Sequence, residues 1–282
     1  MKKSIVGGVE KDAGGLNNTD LTILLIRLKF KMKKKKVNVE FEEHWGVSSG
    51  AATIIPMNSK WKAIAIQVSG GLDSSILLYL TVKTIQKYKL KTKIVPVSLE
   101  IYNKAKNLGS SRAVIAKVQE LTGFTNWGEI VEVIGNETNW RDQGKADFFS
   151  QVLRDLFDRE LVDFEFNGVT KNPPLEASKD FKYNEFRQFD RDNPTTIYNG
   201  RHNASPHAFM NKKDIVELYI KHGVLDDLAA LTLSCDENLD IIIRNNWDVP
   251  CGTCWWCCER RWGLESNGLV YEDYSPLNAY PK

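Results

Sequence analysis

Two groups of residues in this chain have types and spacings suited to chemistry. The first is Ser69-Gly70-Gly71-Leu72-Asp73-Ser74, followed by Ser75. It joins an apolar stretch (Ile64, Ala65, Ile66, Val68) to a longer apolar series (Ile76, Leu77, Leu78, Leu80, Val82). The stretch before it reads as a buried parallel strand and the series after it as the inward face of a helix. A Gly-Gly pair at such a junction lets an anion approach the backbone with no Cβ in the way. The helix that follows directs its unpaired N–H groups and the positive end of its dipole at that anion. Ser69, Ser74 and Ser75 add hydroxyl donors, and Asp73 can hold a divalent cation or cap the helix. An ordinary strand-to-helix turn is the plain alternative, but three serines, an aspartate and the strand–loop–helix setting coincide here. The run reads as a phosphate cradle. No Gly-Lys-Ser/Thr ends it, and its glycines are closer together than those of a dinucleotide fingerprint.

The second group is cysteine. All five cysteines fall between Cys235 and Cys258, and Cys235, Cys251, Cys254 and Cys257 have the spacing of metal ligands. Two residues between cysteines let both thiolates reach one ion from a tight turn, which Gly252 relieves of crowding; four thiolates in a closed set make structural Zn²⁺ the default ion. Cys258 is left over as a spare thiol. Disulfides fit poorly with a chain that opens on nothing like a signal peptide. A redox or sulfur-carrying pair, or an iron–sulfur cluster, stays open as the alternative.

The six residues at 69–74 match the SGGxDS signature of the PP-loop ATP pyrophosphatases, which cut ATP between its α- and β-phosphates. With the C-terminal Cys…Cys-Gly-x-Cys-x-x-Cys, the chain resembles the 7-cyano-7-deazaguanine synthase family within them. Further matching segments are Met210-Asn211-Lys212-Lys213-Asp214-Ile215-Val216, His222-Gly223-Val224, Leu231-Thr232-Leu233-Ser234-Cys235 and Arg260. The resemblance covers roughly residues 62–135 and 207–268. It implies a ligase that activates 7-carboxy-7-deazaguanine with ATP and Mg²⁺, adds ammonia, and activates the amide again to leave a nitrile. It further implies that Ser69, Gly70, Gly71, Leu72, Asp73, Ser74, Ser75 and Lys212 bind nucleotide, with Asp73 and Ser74 catalytic, while Cys235, Cys251, Cys254 and Cys257 hold a structural Zn²⁺. Lys212 can equally be read as a surface helix lysine. The chain departs from the family in residues 1–60, in a long Asn-, Asp-, Arg- and Pro-containing stretch over 170–206, and in the gap between Cys235 and Cys251. These departures keep open a relative that joins a deazaguanine-type acid to another amine, and a PP-loop tRNA sulfurtransferase. A non-enzymatic nucleotide-sensing module with a zinc knuckle is the remaining reading.

The elements that must position these residues follow from periodicity. Strands are expected at 63–69, 93–99, 129–134 and 161–168, helices at 73–88, 109–122 and 143–159, and a last helical run at 211–232. The alternation predicts an α/β fold, a doubly wound parallel sheet of the PP-loop, adenine-nucleotide hydrolase-like kind, carrying a small C-terminal zinc-binding lobe. The expected division is an N-terminal extension over 1–60, a nucleotide-binding domain over 61–232 and a cysteine-rich lobe over 233–282. In the extension, Leu21 to Phe30 and Val37 to Phe41 read as two strands without visible chemistry.

With 282 residues, 42% of them hydrophobic, the chain can bury one large core. No apolar run reaches membrane-spanning length, and a cytoplasmic enzyme is expected. The formal net charge of +2 argues neither for nor against nucleic acid. Lys31 and Lys33 to Lys36 read as a solvated edge, and direct nucleic-acid binding is not expected. A homodimer is allowed but not required. His207 and His222 read as solvent-side or helix-end residues. Arg187, Arg191, Arg201 and Asn172 read as surface groups or as ligands for a carboxylate or purine-like substrate. Trp247, Trp255, Trp256 and Trp262 read as packing of the small lobe, with base stacking as the alternative.

Overall fold

The computed structural model describes residues 38–101, 107–135, 149–182, 202–235 and 250–274. The expected strand at Leu21 to Phe30 and the lysine cluster lie outside them. The first described elements are β1 (Phe41–Gly46) and β2 (Ala52–Met57), an antiparallel hairpin with Phe41 opposite Met57 and Gly46 opposite Ala52. Gly50, at φ +85°, closes the turn in a conformation that favours glycine. Thr53, Ile55 and Met57 alternate inward along β2, and Ile55 and Met57 join the main core. The strand expected at Val37 to Phe41 meets β1 only at Phe41, and Val37 lies outside the described residues.

Five parallel strands follow: β3 (Ala63–Gln67), β4 (Lys93–Ile101), β5 (Val131–Gly135), β6 (Phe164–Phe166) and β7 (Asn203–Ala204), in the spatial order β5-β4-β3-β6-β7. From β3 the chain winds outward through α1 (Leu72–Lys87), β4, α2 (Asn107–Thr122) and β5. It then returns through α3, helical over 149–158, to the other side of β3. The doubly wound parallel sheet expected from the sequence is therefore formed. Its winding reverses between β3 and β6, and the carboxyl ends of these two strands define the crevice where such sheets bind ligands.

One face of the sheet (Ile64, Ile66, Phe164, Phe166, Ala204) packs against α1 and against Ile215, Val216, Leu218 and Tyr219. The other face (Ala63, Ala65, Val95, Val97) packs against Phe149, Leu153 and Leu156 of α3. A single turn, α4 (Leu175–Ser178), precedes β7. The helical run expected over 211–232 divides into α5 (Lys212–Lys221), α6 (Leu225–Leu228) and a 3₁₀ turn (Ala229–Leu231). Gly223, at φ +63°, stops α5. The last helix, α7 (Trp255–Glu265), lies against α5 so closely that a Cβ on Gly263 would stand 2.8 Å from the Lys212 carbonyl oxygen. Among the described residues no helix is long and apolar enough to cross a membrane.

Candidate active site and metal centre

The turn between β3 and α1 is held by its carbonyl groups. Ser111 of α2 donates to the Val68 carbonyl at 2.8 Å and the Leu233 amide to that of Gly70 at 2.8 Å. The Tyr219 hydroxyl donates to the Leu72 carbonyl at 2.7 Å, and His207 Nε2 lies 3.1 Å from that of Asp73. Ser75 Oγ donates to the Gly71 carbonyl at 2.7 Å. Acceptors are thereby turned into the protein scaffold, and α1 starts at Gly71 with no side-chain cap on its first amides. This is the arrangement that leaves helix N-terminal donors for an anion. Gly70 has φ +75°, which calls for glycine, whereas Gly71 has an ordinary φ of −87°. A Cβ on Gly71 would meet nothing of the protein closer than 3.5 Å. Neither the backbone nor the packing requires a glycine there.

Within the turn, Ser74 Oγ lies 3.1 Å from both the Ser69 amide and Ser69 Oγ. The two hydroxyls thus share one side of the cradle. Leu72 is fully buried, so it offers only backbone, and Ser75 spends its hydroxyl on the turn itself. Gly168, after β6, lets that strand's loop close on the cradle: a Cβ there would stand 3.0 Å from the Ser74 amide nitrogen.

Lys212 is not a surface lysine. It is 4% exposed, and its Nζ donates to both oxygens of Asp73, at 2.6 and 2.5 Å. Glu259 of α7, itself buried, stands 3.7 Å from the same nitrogen. A capping box explains how α5 begins at this point. Asn211 Oδ1 accepts from the Asp214 amide at 3.1 Å, and Asp214 Oδ2 accepts from the Asn211 amide at 2.9 Å.

His207 departs from the solvent-side reading. It is 0% exposed because β2 covers it: Nδ1 is 2.7 Å from Thr53 Oγ1. A carbonyl oxygen can only accept, so Nε2 carries the proton toward Asp73 and Nδ1 accepts from Thr53. Burial pushes the imidazole down to about 4. His222 does sit at the end of α5, half-buried against Trp45 and Tyr79. The sequence offered no sign of His207, Thr53 or Glu259, since their partners lie far along the chain.

The four cysteines converge. Sγ atoms of Cys235, Cys251, Cys254 and Cys257 all lie within 4.8 Å of one another, with Cys251 and Cys257 at 3.9 Å. Gly252, at φ +72°, turns the loop so that the Cys254 amide donates to Cys251 Sγ at 3.3 Å. Cys258 faces away, toward the Gly252 and Thr253 carbonyls. Thiolates at about 2.3 Å from one tetrahedral ion are about 3.8 Å apart, which these sulfurs fit. Ligands of a cubane cluster bind different irons and stand further apart. Hydrogen bonds from Cys235, Cys254 and Cys257 push the Cys251 thiol down, while Cys235 and Cys257, as the donors, are pushed up. A single divalent ion would take the four as thiolates, closing a site with no open position.

Arg260 is buried next to this lobe and donates to the Ala229 carbonyl at 2.8 Å and to the Thr232 carbonyl and hydroxyl at 3.1 and 2.5 Å. Its role is to fix the lead-in to Cys235. Trp255 is fully buried, edge-on to Phe181 at 5.3 Å, and Trp256 packs half-buried on the cysteines. For these two the packing reading holds. Trp247, Arg187, Arg191 and Arg201 lie outside the described residues.

Strand order, the cradle at the winding reversal and the four-cysteine cluster define an α/β protein with a candidate anion cradle and a group of thiols that could hold a metal ion. No protein-family model matches the chain, and no curated protein matches it. Two solved structures that it resembles are the U34-tRNA thiolase NcsA from Methanococcus maripaludis with its 4Fe–4S cluster (14% identity, TM-score 0.34) and NAD⁺ synthetase from Burkholderia pseudomallei (13% identity, TM-score 0.33). The first match covers 57% of this chain and the second 58%. The chain spans only 56% and 60% of those two chains' lengths.

Proposed function

We propose that the protein is an ATP-dependent, carbon–nitrogen bond-forming ligase of the PP-loop kind, converting 7-carboxy-7-deazaguanine and ammonia to 7-cyano-7-deazaguanine. The observation that carries the ATP chemistry is the buried Lys212 drawn across to Asp73 at the cradle, from a position 139 residues along the chain. The acid substrate is inferred from the cysteine block and its lead-in.

In the reaction, a carboxylate oxygen of the acid attacks the α-phosphorus of ATP and pyrophosphate leaves. Ammonia then displaces AMP, which carries that oxygen away, and the amide forms. The amide oxygen attacks a second ATP in the same way; loss of AMP and two protons leaves the nitrile. The protein's task is positioning and charge matching. Ser69, Ser74 and the first amides of α1 hold the pyrophosphate, and Lys212 balances its charge. Asp73 would hold Mg²⁺, which neutralises triphosphate charge when bound; 22% of its side chain remains exposed to solvent. Cys235, Cys251, Cys254 and Cys257 would hold Zn²⁺ as a cross-link that fixes α7, and with it Glu259, against Lys212.

The test is incubation with ATP, Mg²⁺, ammonium and 7-carboxy-7-deazaguanine, following AMP and the deazaguanine mass together. Nitrile with two AMP per turnover is expected. AMP with an amide or a stalled adenylate would shift the reading to another amine acceptor. No AMP would overturn it.

A further inference from the structure

The sheet beside the cradle carries a polar row that the reaction above leaves unused. On the face of the sheet covered by α3, the residues change character toward the carboxyl ends of the strands. Ala63 and Ala65 give way to Gln67 on β3, Glu165 lies level with Ala65 on β6, and Asn203 lies level with Glu165 on β7. One step further along the same face come Asn167 and Ser205, joined by a 2.6 Å hydrogen bond from Ser205 Oγ to Asn167 Oδ1. Glu165 is 4% exposed, and among the described residues its side chain meets a single hydrogen-bond donor, the Gln67 amide. Asn203 Oδ1 is buried with no partner among them.

A carboxylate placed in a sheet interior is costly unless donors meet it, and here burial already pushes Glu165 up. Gln67 spends its N–H₂ on Glu165 and keeps its own carbonyl oxygen. Among the described residues the row therefore has acceptors to spare: the second Glu165 oxygen, the Gln67 oxygen and Asn203 Oδ1. An acceptor-rich, singly anionic floor at a winding reversal suits a ligand edge made of donors. The opposite face of the same three strands is uniformly apolar (Ile64, Ile66, Phe164, Phe166, Ala204), so the polarity is confined to this side.

We propose that Gln67, Glu165 and Asn203 form the recognition floor for the acid substrate. They read two adjacent N–H groups of a planar heterocycle, a lactam N–H beside an exocyclic amine. This rests on the ligase reading and supplies its missing half, the group that tells a guanine-type acid from one without the amine.

The experiment measures equilibrium binding of 7-carboxy-7-deazaguanine and of its analogue lacking the 2-amino group. The wild-type protein is expected to prefer the amino compound at least about tenfold, as loss of a hydrogen bond to a charged group does. Glu165→Gln, which keeps shape and loses the charge, is expected to bind the acid at least about tenfold more weakly and to lose the preference. Pyrophosphate affinity, set by the cradle, stays unchanged. Should Glu165→Gln not fold, Asn203→Ala on the edge strand carries the test, with a several-fold loss of the preference. Equal binding of both compounds by the wild type, no binding of either, or an unaltered preference in the variants overturns the proposal. The two readings separate cleanly. A Glu165-dependent preference without AMP formation keeps this floor and sinks the activation chemistry. AMP formation with an unchanged KM in Glu165→Gln does the reverse.

Discussion

Replacing Lys212 by Met should be among the most damaging single changes in this protein, for stability as well as activity. Lys212 Nζ touches both oxygens of Asp73 at 2.6 and 2.5 Å, and it is 3.7 Å from Glu259, whose side chain is 1% exposed. Methionine nearly matches the lysine stem in volume, so the packing against Gly263 survives and the charge is what is lost. Removing one partner of a buried ion pair costs about 3–5 kcal/mol, because the other charge stays buried without compensation. Asp73 keeps 22% of its side chain in solvent, so the lower half of that range is expected. For a chain of this size, about 3 kcal/mol corresponds to a fall of roughly 6–12 °C in Tm. Urea unfolding of Lys212→Met, Asp73→Asn and the double variant gives the coupling. With the lysine gone, neutralising Asp73 should recover about 1 kcal/mol or more relative to the sum of the single effects. Additivity within about 0.5 kcal/mol, or a Lys212→Met cost typical of a surface residue, would refute the pairing.

Two further outcomes follow from the metal lobe and the buried histidine. Metal analysis should find about one zinc per chain, lost in Cys254→Ser and retained in Cys258→Ser; iron with labile sulfide would overturn the single-ion reading. His207, buried neutral and pushed down to about 4, binds its proton more readily when unfolded. Stability is therefore full above the ordinary histidine value of about 6.5 and falls as pH drops from there toward about 4, by up to about 3 kcal/mol. His207→Gln should flatten that part of the urea-midpoint profile, and an unchanged slope would count against the buried neutral imidazole.

The sheet and the cradle were legible because both are written locally. Ile64 to Val68 and the series from Ile76 to Val82 lie on either side of the loop that they position, and the cysteine spacing needs only a tight turn. The hairpin was not, because the inward period of Thr53, Ile55 and Met57 is blurred by Ile54 and Pro56, and the partner of its Ile54 amide is the Pro206 carbonyl, far along the chain. Lys212 did carry a local sign. A lysine in the first turn of a helix opposes the helix dipole, so its placement directly after the Asn211 cap marks a charge held there by something else. That something is Asp73, and nothing near Lys212 in the chain announces it. Glu165 gave a comparable hint, as a charge between two phenylalanines in a strand otherwise suited to burial on both faces.

The two glycines of the cradle look alike in the sequence, yet the structure assigns them different causes, and a single comparison separates these. Gly70→Ala puts a Cβ on a backbone at φ +75°, and should destabilise the fold by about 1 kcal/mol or more. Gly71→Ala acts at φ −87°, with the nearest protein atoms at 3.5 and 3.6 Å. There the new methyl is free of strain and restricts the unfolded chain, so stability should hold or rise by about 0.4–1 kcal/mol. Under the proposed function the same methyl stands at the start of α1, where the phosphate is to be held, so pyrophosphate affinity and AMP formation should fall by at least about tenfold, the effect of losing one or more hydrogen bonds to an anion. Thermal unfolding and pyrophosphate titration of the two variants, side by side, decide the matter. A Gly71→Ala protein that is as stable as the parent and still binds pyrophosphate would mean that the turn is only a connection. A stable protein that has lost the anion would mean that Gly71 answers to the ligand and not to the fold.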